Sequence, residues 1–251
     1  MRKKNYVCGQ SSSPFFGDAV LPRGGAVSAK TVQEVLLCMG IEAGAVRTAF
    51  SRLSKDGWVV RTKLGRSSFY HLSDPGLQPF ADATDQIYAP LPEADNSLTE
   101  WTLTVRQDDH PDFQLFRQSP VESGNETFRM TGKISHVPDW MKLQKCAPDH
   151  ARSFDNLMTA FQPVDHTQLN ELEAMAVRCL LIHEWRRILF QFEQVAPVFW
   201  TQDWPQSTCH AFVAALYHNL LHSSEVWMDQ NAKGPQGRLR SPGNSLGSRF
   251  N

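Results

Sequence analysis

Between Thr31 and Leu72 the pattern of apolar and polar positions changes period once, from helical to alternating. Val32, Val35, Leu36 and Met39 recur at helical spacing. Thr31-x-x-Glu34 ahead of them has the form of a capping box, which predicts a helix start at Thr31. Gly40 suits the position just past a helix end. Val46, Ala49, Phe50 and Leu53 then form the stripe of a second helix, predicted from about Glu42 to Asp56 and stopped by Gly57. Trp58 to Thr62 and Ser68 to Leu72 are rich in β-branched and aromatic residues, and Lys63-Leu64-Gly65-Arg66 between them predicts a β-hairpin. Helix, Gly-containing turn, helix and hairpin in that order is the plan of a winged helix-turn-helix.

The pattern continues on both sides. Pro14 to Leu21 predicts a short first helix, Pro22-Arg23-Gly24-Gly25 a turn, and Ala26 to Ser28 a short strand. Leu77 to Tyr88 predicts a modest helix, and Ala89 to Ser97 a linker. Leu98 to Arg106, Phe113 to Ser119 and Thr127 to Lys133 read as strands with no amphipathic helical window between them. Helical spacing returns in a short turn around Trp140, in Asp149 to Phe161 (Phe154, Leu157, Met158 and Phe161 inward) and in Leu169 to Gln191. The last of these carries Leu172, Met175, Ala176, Cys179, Leu180 and His183 on one predicted stripe, and Ser207 to Trp227 closes the series. The fold class expected is α+β, mainly α. Its parts are a winged helix over 12–88, a small β-rich middle module over 97–140, a helical domain over 148–230 and a tail over 231–251. Gly, Pro, Ser and Asn dominate the tail, which composition alone assigns to disorder.

Charge singles out the winged region. From Gly44 to His71 there are six basic residues (Arg47, Arg52, Lys55, Arg61, Lys63 and Arg66) against one acid, Asp56. That segment is +5 in a chain of net charge −1, so the remainder carries −6. Clustered cations are what a phosphate backbone requires, and double-stranded DNA is the expected partner. Arg47, Thr48, Ser51, Arg52 and Lys55, off the apolar stripe of the second helix, and Lys63 and Arg66 in the hairpin are the expected DNA-binding residues. Arg2, Lys3 and Lys4, in a polar N-terminal stretch expected to fray, are possible backbone contacts.

Other chemistry is weakly indicated. Five cysteines, Cys8, Cys38, Cys146, Cys179 and Cys209, are an odd number with no C-x-x-C pair, as expected of reduced thiols. No apolar run approaches the 18 or so residues of a membrane helix and no signal-peptide core is evident, so a cytoplasmic protein with no membrane association is expected. Gly243-Asn244-Ser245-Leu246-Gly247 fits G-x-S-x-G but lacks the strand and helix of a nucleophile elbow. His183-Glu184 starts an H-E-x-x-H pattern that Arg187 breaks. His218, His222 and Glu225 share a helix face at a spacing that suits zinc, although helical histidines more often pack or stay solvated. Neither catalysis nor a cofactor is expected.

Several spaced motifs carry a resemblance. Gly17-Asp18, Arg23 to Gly25, VRTAFSRLSKDGW from Val46 to Trp58 and GRSSFYHLS from Gly65 to Ser73 are similar to the N-terminal domain of PaaX-type repressors of phenylacetate catabolism. LLIHEWRRILF from Leu180, Asp203-Trp204-Pro205 and Leu216-Tyr217 resemble elements of that family's C-terminal domain. The resemblance implies a homodimeric bacterial transcriptional regulator, with a winged helix, a Cas2-like middle domain and a helical C-terminal domain, released from DNA by phenylacetyl-CoA. Family members carry a longer middle segment, so a reduced ferredoxin-like module is expected here. The family also tends to end in a Pro-Gly segment closing on Arg-Phe, matched by Ser245 to Phe250, which favours a tail with a docking role and leaves its order open between the two readings. An acyl-CoA effector calls for cations beside an aromatic pocket. Arg178, Trp185, Arg186 and Arg187 are the candidate contributors, but for each residue taken singly the favoured reading is the other one, in which Arg186 and Arg187 pair with acids such as Glu184 or line an intersubunit face. A winged-helix protein acting only through protein contacts is the alternative.

Overall fold

The computed structural model describes residues 14–91, 100–106, 112–116 and 127–251. Arg2, Lys3 and Lys4, most of the expected linker, Leu98 and residues 117–119 lie outside them. A π-helical turn, Phe15–Val20, runs into a 3-10 turn, Leu21–Arg23. Strand β1 (Ala26–Ser28), helices α1 (Ala29–Cys38) and α2 (Ala43–Lys55), strands β2 (Val59–Leu64) and β3 (Ser67–Leu72) and helix α3 (Asp74–Ile87) follow.

The start of α1 differs from the capping box suggested by Thr31 and Glu34. Ser28, extended at φ −67° and ψ 144°, is the cap, and its hydroxyl accepts the Thr31 amide at 3.1 Å. Because β1 delivers Ser28 already extended, the helix begins ahead of Thr31, whose side chain is buried. Glu34 instead pairs with Lys30 one turn back, at 3.6 Å.

Both helices of the pair end on the same device. At the end of α1 the Gly40 amide donates to Leu37 and the Ile41 amide to Leu36, with Gly40 at φ 79°. At the end of α2 the Gly57 amide donates to Ser54 and the Trp58 amide to Leu53, with Gly57 at φ 76°. These are Schellman motifs, which need a left-handed residue that glycine supplies without a Cβ clash. A three-stranded antiparallel sheet, order β1-β3-β2, packs beside them. Leu64 pairs with Ser67, so the hairpin turns on Gly65-Arg66 alone, with Gly65 at φ 60°.

Two long helices share the core of this segment. Phe15, Phe16, Val32, Val35, Leu36, Val46, Phe50, Val59 and Leu72 form one buried cluster with Met175, Cys179, Trp227, Met228 and Ala232. The later residues come from α6 (Glu171–Gln191), α7 (Gln206–Asn231) and the residue after it. Trp185 meets His210, whereas Arg178 meets Tyr217 and Glu225, so α6 and α7 run antiparallel. Asn170 caps α6 in a reciprocal box with Glu173. The stripe of α6 is wider than its spacing suggests. Leu181, Ile182 and Trp185 are buried, while Leu180 is 36% exposed and His183 is half-buried. A helix covered by the N-terminal core on one side and α7 on another has no single apolar face for a period to reveal.

Packing divides the chain into two units. The first draws its described residues from 14–91, 152–193 and 205–251, the second from 100–151 and 194–204. In the second, β4 (Trp101–Arg106), β5 (Asp112–Phe116) and β6 (Thr127–Gly132) form an antiparallel sheet, order β5-β4-β6, followed by α4 (Asp139–Lys145). Trp101 sets its ring edge-to-face on Phe199, centroids 5.8 Å apart, and the Cys146 thiol donates to the Phe199 carbonyl. Helix α5 (Pro148–Phe161) leads back to the first unit, where Phe154 and Leu157 are buried. The protein is mainly α with small sheets. Among the described residues no helix is long and apolar enough to cross a membrane.

The tail is ordered, against the reading from its composition. Strands β7 (Lys233–Gly234) and β8 (Gly237–Arg238) form a small hairpin and a 3-10 turn spans Gly243–Ser245. Leu246, Arg249 and Phe250 are buried. An arginine with an internal carboxylate waiting for it docks a segment that apolar content alone would leave loose.

Candidate nucleic-acid interface

Helix α2 buries Val46 and Phe50, with Ala49 and Leu53 half-buried beside them. At about 100° per residue, Arg47, Ser51, Lys55, Thr48 and Arg52 fall in one arc of about 140° on the opposite side. All five are exposed. The Thr48 hydroxyl donates to the Gly44 carbonyl one turn back, at 3.0 Å. On the hairpin, Arg61 and Lys63 are two apart on β2 and so share a face. Arg61 donates to the Ser68 hydroxyl at 2.8 Å, and Lys63 and Arg66 are exposed.

These elements enclose a cleft of about 760 Å³. Lys30, Arg47, Arg61, Arg66 and Lys233 supply its charge, and no carboxylate lines it. Ser51, Ser54, Ser67 and Ser68 add hydroxyls, over an aromatic floor of Phe50, Phe69 and Tyr70. The structure therefore brings Arg47, Ser51 and Arg66 into one cleft and leaves Thr48, Arg52, Lys55 and Lys63 on exposed surface outside its lining. Arg61, Lys30 and Lys233 are the additions. The charge count includes Arg61, but the seven expected binding residues do not. Lys30 sits in the first turn of α1, and Lys233 lies in the tail, where composition gives no sign of a fixed position.

The cations of this face contrast with those inside the protein. Among the described residues, Arg47, Arg52, Lys55, Arg61, Lys63 and Arg66 form no salt bridge. Arg23, Arg178 and Arg249 are each buried and each meet an acid. Asp18, 0% exposed, takes Arg178 Nε on Oδ2 at 2.6 Å and Arg249 Nη1 on Oδ1. The Tyr88 and Tyr217 hydroxyls donate to Oδ1 at 2.6 and 3.0 Å. Arg249 also lies 4.0 Å from the Tyr88 ring centre. Burial alone would raise the Asp18 carboxyl, but the guanidinium charges of Arg178 and Arg249, with the Tyr88 hydroxyl, outweigh it and hold the group below its ordinary range. Burial, with the nearby Asp18 charge, pushes Tyr88 and Tyr217 well up, so both remain hydrogen-bond donors. Arg23, read from the sequence as part of a turn and of a motif in the resemblance, is held by Glu225 and Asp229, each at 2.6 Å.

The remaining expected residues are scattered. Arg178 is fully buried, bonded to Ser224, Tyr217 and Glu225 besides Asp18. Trp185 is 2% exposed and its indole donates to the Ile87 carbonyl at 3.0 Å. Arg187 pairs with Glu184 at 2.8 Å. Arg186 lies 5.8 Å from the ring centre of Phe190, and burial lowers its pKa. Of the zinc-spaced trio, Glu225 gives its oxygens to Arg23 and Arg178, and His218 Nε2 lies 3.1 Å from the Arg249 carbonyl. Among the described residues no three His, Cys, Asp or Glu side chains are grouped to hold a metal. Gly243 to Gly247 has a 3-10 turn and no preceding strand longer than two residues in the tail.

Comparison with known proteins follows the same outline. The PaaX-like protein family model matches residues 13–76, and the model of the PaaX-like C-terminal domain matches residues 144–230. The Escherichia coli transcriptional repressor PaaX is 22% identical over 95% of this chain and 88% of its own. The uncharacterized protein Rv0674 of Mycobacterium tuberculosis aligns over 84% of this chain and 95% of its own, at 13% identity and a TM-score of 0.49.

Proposed function

The chain belongs to the PaaX-like family, and from that premise we propose that it is a DNA-binding transcriptional repressor whose winged helix is formed by α1, α2 and the β2–β3 hairpin. The observation that supports this most is the band of unpaired cations along α2 and the hairpin, beside a cleft lined by five basic residues and no acid. A surface built for a protein partner would not need six cations left without counter-charges, whereas a duplex supplies them.

Helix α2 enters the major groove. Arg47, toward its N-terminal half, reads a guanine edge, the commonest base-specific contact of arginine. Thr48, Ser51 and Arg52 contact bases or phosphates, and Lys55 contacts phosphate. Lys63 and Arg66 grip the backbone or the adjacent minor groove. The targets are genes of aromatic or phenylacetate catabolism, the working form is a homodimer, and an acyl-CoA such as phenylacetyl-CoA relieves repression. For that effector, Arg186 beside Phe190 and Arg187 on the exposed side of α6 are the groups that remain accessible. Arg178 and Trp185 are engaged within the fold.

Selection of bound genomic fragments, followed by footprinting, tests this reading. Arg47→Ala is expected to cost about 1–3 kcal/mol of discrimination at one base pair. Lys63→Ala is expected to weaken all sequences alike and flatten the salt dependence by about one unit. No enriched fragment, or binding indifferent to salt, would overturn the assignment. Calorimetry with phenylacetyl-CoA and with phenylacetate tests the effector.

A further inference from the structure

We propose that the C-terminal tail supplies part of the DNA-contacting surface, through Lys233 on the wall of the cationic cleft. This rests on the DNA-binding reading and extends it to a segment more than 160 residues downstream of the hairpin.

The position of Lys233 is fixed from both sides. Ala232 is 2% exposed and belongs to the core shared by α1, α2 and α7. Gly234 is buried, and a Cβ there would meet Leu239 Cδ2 at 2.9 Å and the Ala26 carbonyl at 3.3 Å. A side chain here would have to displace Leu239 and crowd the Ala26 carbonyl, so glycine suits this close approach to β1. The Lys233 amide lies 3.4 Å from Thr31 Oγ1. Between two buried neighbours the Lys233 side chain stays exposed and lines the cleft with Arg47, Arg61 and Arg66. Lys30, also in the lining, has Glu34 as a partner. Lys233 forms no salt bridge among the described residues. Its backbone is ordered on folding, so that entropy is not charged again on binding.

The partner is a nucleic-acid backbone, and the predicted contact is one phosphate. Each neutralised phosphate contributes about 0.9 to the slope of log affinity against log salt. Extrapolated from 1 M salt, where this contribution is small, losing one contact weakens binding about fivefold at 0.15 M.

The test is fluorescence anisotropy of the full chain on a labelled 30-base-pair duplex of mixed sequence, from about 0.05 to 0.3 M salt. Such a probe reads phosphate contacts without needing the operator. Lys233→Ala is expected to lower the slope by about 0.9 and affinity about fivefold. Lys233→Arg should keep the wild-type slope. Arg152→Gln, which removes the same charge from an exposed position on α5, should also leave it unchanged. A thermal melt of each variant checks folding. Loss of slope in Lys63→Ala but not in Lys233→Ala overturns the role of the tail while leaving the DNA-binding reading intact. No binding by the wild type overturns both, and an equal loss in Arg152→Gln reduces the effect to net charge and overturns the contact.

Discussion

Asp18→Asn probes the feature that ties the two ends of the chain together. The substitution keeps an oxygen able to accept from Tyr88 and Tyr217 but removes the charge between Arg178 and Arg249. Arg178 retains Glu225 at 2.6 Å. Arg249, 8% exposed, loses its carboxylate and is left, among the described residues, with uncharged partners: the amide oxygen, the Tyr217 hydroxyl, the Asp18 main-chain carbonyl and the Tyr88 ring. Breaking a buried ion pair by neutralising one partner costs about 3–5 kcal/mol, because the other charge stays buried. For a chain of this length that corresponds to a fall in melting temperature of roughly 10 °C. Thermal unfolding followed by circular dichroism measures it. Arg249→Gln should cost much less in the Asp18→Asn background than in the wild type, by about 1.5 kcal/mol or more. The pH dependence carries a sign. The folded pKa of Asp18 is depressed, so its contribution is present above the ordinary value of about 3.9 and is lost as pH falls below it. The gap between wild type and variant should therefore close in acid. A loss under about 1 kcal/mol at neutral pH, or full additivity with Arg249→Gln, would refute the account.

Gly234→Val should push the tail hairpin away from β1, since its first side-chain atom meets backbone and Leu239. The expected result is the reduced salt slope of Lys233→Ala together with lower stability, read by anisotropy and melting. His150 is 2% exposed and packs its ring against Trp204, centroids 5.1 Å apart, and burial lowers its pKa to about 4. A neutral buried histidine stabilises above pH 6.5 and loses that contribution as pH falls toward 4. His150→Phe should shrink the acid-induced loss in that window, measured by chemical denaturation across pH.

What could be read from the sequence was local. The α2 boundaries, its apolar stripe and the hairpin depend on neighbours a few residues apart, on Gly40, Gly57 and Gly65, and on β-branched runs. The Thr31 capping box failed over a similarly short distance, because Ser28 competes for the same role and wins by being extended already. The charge count located the cationic face, since a surplus of like charge in one segment survives folding when the segment's surface is exposed. Asp18, Arg23 and Arg249 gave no such signal. Arg23 meets Glu225 and Asp229, 202 and 206 residues away, and Asp18 meets Arg249, 231 residues away; a single charged residue does not say whether its counter-charge is protein or water. Lys233 was hidden for a related reason: composition reports average flexibility, whereas Ala232 and Gly234 pin one position.

The shared core has a consequence for biosynthesis. Phe15, Phe16, Val35 and Phe50 leave the ribosome early, yet the residues that cover them, Met175 through Ala232, are translated much later. At about 5–20 residues per second, the nascent N-terminal segment waits on the order of ten seconds with that surface open. Chaperone occupancy during elongation, and aggregation of fragments truncated ahead of α6, are the costs expected of joining the first and last parts of a chain in one hydrophobic interior.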